Sequence, residues 1–98
     1  MDFAEYREIL NQLKRKEVPV IKITNDKSIK AIDISEKIRG VKFSDGIIDV
    51  LVIENDHLAQ YRANVITSTN SRTPIIIIED FLGSMDFLGT MEMSYTPL

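Results

Sequence analysis

Phe3, Tyr6, Ile9, Leu10 and Leu13 recur at intervals of three and four near the start of the chain. That spacing collects them on one stripe of an α-helix. Asp2 stands where an N-cap is needed, and Glu5 follows three residues later in the manner of a capping box. Lys14, Arg15 and Lys16 suit the carboxyl end of the helix dipole, and Pro19 forbids continuation. The pattern predicts a helix over about 2–16.

From Val18 the period falls to two. "VIKIT" (20–24) and "IKAIDI" (29–34) read as strands around the turn-forming "NDKS" (25–28). "SEKIRG" fits either one helical turn or the entry to a strand. "IRGVKF" (38–43) and "IIDVLVIE" (47–54) flank Ser44-Asp45-Gly46. Asp-Gly favours a two-residue type I′ hairpin, because both of its positions need φ > 0. The register then sets Ser44 opposite Ile47, Phe43 opposite Ile48, Lys42 opposite Asp49 and Val41 opposite Val50. It joins two apolar pairs and one oppositely charged pair.

"ENDH" (54–57) breaks the pattern again. "LAQYRANVITST" (58–69) supports two readings. As a strand it places Ala59, Tyr61, Ala63, Val65 and Thr67 on one face. As a helix it groups Leu58, Tyr61, Arg62 and Val65. We expect a helix or turn over 56–62 and a strand over 63–68. "TSTNSRTP" (67–74) has loop composition. "IIIIED" (75–80) has the length and branching of a buried central strand.

"DFLGSM" (80–85) is followed at once by "DFLGTM" (86–91), a six-residue unit written twice. In a helix, six residues turn the chain through about 240°, and each glycine costs about 1 kcal/mol against alanine. In a strand six is even, so both copies present the same face. Phe81, Gly83, Met85, Phe87, Gly89, Met91 and Met93 then share one side. Gly83-Ser84 suits a type II′ turn, which predicts a hairpin of about 75–82 against 85–95 with Gly89 at a bulge. Two copies are too few for a solenoid.

The predicted fold is therefore α+β, an N-terminal helix packed on a mainly antiparallel β-sheet or small barrel-like meander of five to six strands. Ninety-eight residues make a single domain over 1–98. Fifteen isoleucines against four alanines strengthen the β reading. The same bias fits an AT-rich coding sequence of bacterial or phage type.

Composition narrows the chemistry. The chain has no cysteine, which removes disulfides, thiolate nucleophiles and cysteine-ligated zinc. A disulfide-free small chain whose first residues are too polar for a signal peptide points to the cytoplasm. No apolar run approaches the ~20 residues of a membrane span. His57 is the sole histidine, too few for a typical zinc site, and it reads as a solvated turn residue. No phosphate-binding glycine loop or serine elbow is present, and the adjacent Glu79 and Asp80 point to opposite faces of a strand. We expect no catalytic residues, metal or cofactor.

Met85, Met91 and Met93 with Phe81 and Phe87 would form a soft, adaptable apolar surface. One role for it is ordinary core beneath the N-terminal helix. The other is a docking surface or free edge for a second protein chain. We expect a non-catalytic protein-interaction module, a homo-oligomer, adaptor or inhibitor, using these five residues. An alternative is a small anionic-ligand or nucleotide binder in which Asn70, Ser71 and Arg72 hold the anion. Charge suggests a third reading. Residues 1–43 carry ten Lys/Arg against seven Asp/Glu, and residues 44–98 carry two against eight. Nine bases between Lys14 and Lys42 could contact nucleic acid if they converge. The net charge of −3 and the missing aromatic cluster weigh against it.

Overall fold

The helical stripe and the alternating runs fold as one helix on a seven-stranded sheet. The structure is a computed structural model that describes residues 2–24, 30–66, 74–85 and 95–98. Helix α1 spans Phe3–Lys14. The Asp2 carboxylate accepts a hydrogen bond from the Glu5 N–H at 2.8 Å, which satisfies a donor the helix itself cannot. At the other end Glu17 N–H donates to Gln12 O and Lys16 N–H to Leu13 O, with Lys16 at φ 59°. This is a Schellman closure with a lysine where glycine is usual.

The strands are β1 (Val20–Thr24), β2 (Lys30–Asp33), β3 (Ile38–Ser44), β4 (Ile47–Glu54), β5 (His57–Ile66), β6 (Ile75–Met85) and β7 (Thr96–Pro97). A 3₁₀ turn at Ser35–Lys37 leads into β3, so "SEKIRG" is both a turn and a strand entry. The order across the sheet is β2-β1-β6-β5-β4-β3-β7. Only β1 and β6 run parallel among these neighbours. The described strands do not close into a barrel, because β2 and β7 stand at opposite edges.

Strand alternation distributes the core. Tyr6, Ile9 and Leu13 of α1 are buried against Val20, Val41, Ile48, Val50, Val52, Ala63, Ile76 and Ile78. Each such apolar side chain contributes about 1.5–3 kcal/mol on leaving water. The Tyr6 ring stacks on Phe43 at 4.9 Å, pinning the start of the helix to β3. The opposite face holds a second, smaller core of Leu51, Leu58 and Tyr95. Tyr95 packs where Gly40 has no side chain: a Cβ there would lie 3.3 Å from Leu51 Cδ1 and 3.4 Å from Tyr95 Cβ.

The β3–β4 hairpin has the predicted register, from Ser44↔Ile47 to Val41↔Val50, around Asp45 (φ 51°) and Gly46 (φ 78°). Its charged pair differs. Asp49 is bound by Arg62 of β5 at 3.4 Å, while the Lys42 ammonium lies 5.0 Å from the Tyr95 ring centre.

Three expectations are corrected. Residues 57–66 form one strand, not a helix or turn followed by a strand. Asn55 and Asp56, both at positive φ, make a second two-residue hairpin turn, and β5 then pairs on both sides. Burial of Leu58 on one face and Ala59 on the other overrides the helix preference of its alanines. Next, the chain does not turn at Gly83-Ser84, because β6 continues through both and pairs them with Gln60 and Ala59. The glycine serves a bulge instead. Register shifts leave Leu82 and Glu79 as extra residues in β6, and Gly83 adopts φ 139°. Alternation is thereby broken, so Phe81 is in register with Tyr61 on the helix side while Gly83 is in register with Gln60 on the other. Finally, the isoleucine run is central but buried on one face: Ile76 and Ile78 are enclosed, whereas Ile75 is 36% exposed. The turn at 25–28, the loop at 67–73 and the second copy of the repeat at 86–91 lie outside the described residues.

Candidate functional site

The part of the helix-bearing face that α1 leaves open is organised around one charge. In β1, Val20 and Lys22 alternate inward, and Lys22 is in register with Ile78. An ammonium placed over an apolar face needs a partner. It donates to Glu54 Oε1 at 2.7 Å and to the Tyr61 hydroxyl at 3.0 Å. The Tyr61 hydroxyl in turn donates to Glu54, with both carboxylate oxygens 2.9 Å away. Three strands, β1, β4 and β5, therefore meet in one closed hydrogen-bonded cluster.

Its electrostatics fix each protonation state. Burial opposes the Glu54 carboxylate, but hydrogen bonds from Lys22 and Tyr61 and the Lys22 charge outweigh it, so its pKa lies below the ordinary range. Burial likewise disfavours the Lys22 ammonium, and the bonds to Glu54 and Tyr61 more than offset this, raising its pKa. For Tyr61, burial is the largest influence and the pKa is raised. At neutral pH the cluster holds an ammonium, a carboxylate and a neutral phenol. None of the three is primed as a base or nucleophile.

Exposed apolar groups flank the cluster. The Phe81 ring meets Tyr61 edge-on at 5.5 Å, yet Phe81 is 60% exposed. Leu82, the bulge residue beside it, is 42% exposed. On the far side Ile32 of β2, in register with Lys22, is 47% exposed. A fixed polar centre therefore stands beside a projecting aromatic ring.

Of the residues singled out by sequence, Phe81 lies here. Met85 ends β6, in register with Leu58. Phe87, Met91 and Met93 lie outside the described residues, as do Asn70, Ser71 and Arg72. His57 opens β5, with Nδ1 3.2 Å from Asn55 O within its own turn. The described bases of the first half do not form one patch. Lys22 is held by Glu54, Lys42 lies by Tyr95, and Arg15 pairs with Glu17 at 3.1 Å. Lys14, Lys16 and Arg39 come together around a shallow depression that also includes Glu36. Sequence named Lys22 only as one of the nine bases that could contact nucleic acid, and it did not group Lys22 with Glu54 and Tyr61. The signal was present in "VIKIT", where alternation sends Lys22 to the same side as Val20.

Among the described residues no three His, Cys, Asp or Glu side chains converge as a metal site. No described helix is long and apolar enough to cross a membrane. Compared with known protein families, curated protein sequences and solved structures, the chain matches none.

Proposed function

We propose that this chain is a non-catalytic protein-interaction module and that another protein chain docks on the Tyr61–Phe81 surface. The observation that supports this is the mounting of Phe81. Its ring is mostly in water, but its base rests on a buried tyrosine whose hydroxyl is fixed by two charged partners. An aromatic anchor held this way loses little conformational freedom on binding, which is the usual property of an interface hot spot. Self-association is the first form of the proposal. The Met/Phe-rich stretch beyond Ser84 extends the same idea along the chain.

Light scattering across a concentration series tests it. Association that weakens in Phe81→Ala supports the surface. A wild-type monomer at high micromolar concentration eliminates the self-associating form. Association indifferent to Phe81→Asp eliminates this surface.

A further inference from the structure

We propose that the free edge of β2 binds a second copy of this chain, which adds its own β2 antiparallel across a two-fold axis at Ile32. This goes beyond the proposed docking surface, because its contacts are backbone hydrogen bonds at the edge of the sheet. Among the described residues β2 pairs with β1 on one side and has no strand on the other. Ile34 N–H donates to Val20 O at 2.8 Å, so the backbone of Ile34 faces β1. Alternation along an antiparallel ladder then turns Ile32 to β1 as well, and turns Ala31 and Asp33 outward. Their backbone N–H and C=O groups have no hydrogen-bond partner among the described residues. Such a row is a template for another strand. β2 carries no proline to block it. The Asp33 carboxylate, a charge that could guard the edge, is taken up by the Ser35 N–H at 3.0 Å and by the Ser35 hydroxyl.

Self-complementarity selects the occupant. A two-fold axis normal to the sheet keeps both helix-bearing faces on one side, as antiparallel pairing requires. Centred on Ile32, it sets Ala31 opposite Asp33 of the second copy, and Asp33 opposite its Ala31. Both are hydrogen-bonded pairs, so the outward N–H and C=O of both residues are all used. Ile32 meets its own copy at the axis in the close, non-hydrogen-bonded position, with Cα atoms about 4.5 Å apart. It is 47% exposed in the single chain, and this contact covers it. An axis at Asp33 would instead oppose two carboxylates. The other edge of the sheet does not compete. Leu98 N–H donates to Arg39 O, so Pro97 of β7 faces outward, and a proline has no N–H to offer. One open edge and one blocked edge give a closed dimer rather than a growing ribbon.

The test is amide hydrogen exchange by NMR over a concentration series, with light scattering on the same samples. In the dilute chain the Ile32 and Ile34 amides should be protected, and those of Ala31 and Asp33 should exchange freely. As the dimer forms, protection at Ala31 and Asp33 should rise about tenfold or more. Ala31→Pro removes only an outward N–H, so it should abolish the dimer and leave the Ile32 and Ile34 amides protected. Ile32→Lys and Ile32→Glu should each weaken self-association about tenfold or more, because like charges meet at the axis, and an equimolar mixture of the two should restore it. Free exchange at Ala31 and Asp33 in millimolar protein, a dimer that survives Ala31→Pro, or a mixture no better than either Ile32 variant alone would each overturn the proposal. Phe81→Ala should leave this dimer intact. Association lost in Phe81→Ala but kept in Ala31→Pro would sustain the docking surface and sink the edge, and the reverse result would do the opposite.

Discussion

Lys22 and Glu54 stand 2.7 Å apart although β6 and β5 lie between their strands. The register runs from Lys22 through Ile78 and Ala63 to Ile48, six residues short of Glu54. In a flat ladder the two backbones would be separated by roughly 24 Å, from the rise per residue and the strand spacing. Two side chains cannot span that distance. The sheet must coil, and the bulges at Glu79 and Leu82 sit where β6 has to bend for it to do so. One ion pair thus reports the curvature of the whole sheet.

That pair makes stability depend on pH at both ends. The Glu54 pKa is lowered by folding, so its contribution is full above its unfolded value of about 4.3 and is lost as pH falls through the lower folded value. The Lys22 and Tyr61 values are raised, so their contributions are full below about pH 10 and are lost as pH rises through the folded values. Both side chains of the pair remain a quarter to a third exposed, which screens the interaction. Glu54→Gln should therefore cost about 1–2 kcal/mol at pH 7. Urea unfolding from pH 3 to pH 11 is the measurement. The wild type should show a plateau with losses at both ends, and the variant a smaller loss on the acid side.

Gly83 should tolerate no side chain well. At φ 139° an L-residue is strained even though nothing lies within 4 Å of the added Cβ. Gly83→Ala should destabilise by about 1–2 kcal/mol. The free space around the position makes this a test of backbone conformation alone. An unchanged urea midpoint would show that β6 runs past Gly83 without the bulge.

Two left-handed positions carry the wrong residue for their geometry and predict gains. Lys16 closes α1 at φ 59°, and Asp56 completes the β4–β5 turn at φ 65°. Lys16→Gly removes a Cβ penalty at the helix closure. Asp56→Gly converts Asn-Asp into the favoured Asn-Gly hairpin pair. Each should raise stability by roughly 0.5–1 kcal/mol, read as an increased urea midpoint, because the steric relief exceeds the added freedom of the unfolded chain.

The local elements were legible where one physical signal acted alone. The stripe from Tyr6 to Leu13 specified α1, and Asp45-Gly46 specified the β3–β4 register residue by residue. Legibility failed where long-range pairing competed with local preference. Ala59 and Ala63 favour a helix in isolation, yet β4 and β6 flank them and hold them extended. Gly83-Ser84 is good turn chemistry, but pairing with β5 carries the strand through it and spends the glycine on a bulge. The cluster at Lys22 was hidden for a related reason. Its partners lie 32 and 39 positions away, and only a coiled sheet brings them within reach.

Phe81 separates binding from folding. Its ring touches Tyr61 but is mostly exposed, so removing it deletes one edge-on aromatic contact, about 0.5–1.5 kcal/mol at most. Tyr61 is buried in the main core, and the same truncation there should cost about 3–5 kcal/mol. If the exposed ring is an anchor for another chain, Phe81→Ala should weaken association by about tenfold or more while the urea midpoint moves little. Tyr61→Phe supplies the complementary control. It keeps the ring beneath Phe81 and removes the hydroxyl that Lys22 and Glu54 hold. Stability should fall by about 1–2 kcal/mol as those partners lose a bond, and association should weaken only through a looser footing for Phe81. Light scattering and urea unfolding on the same three proteins distinguish these outcomes. Loss of folding in Phe81→Ala, with unchanged association in whatever remains folded, would place the ring in the core and not at an interface.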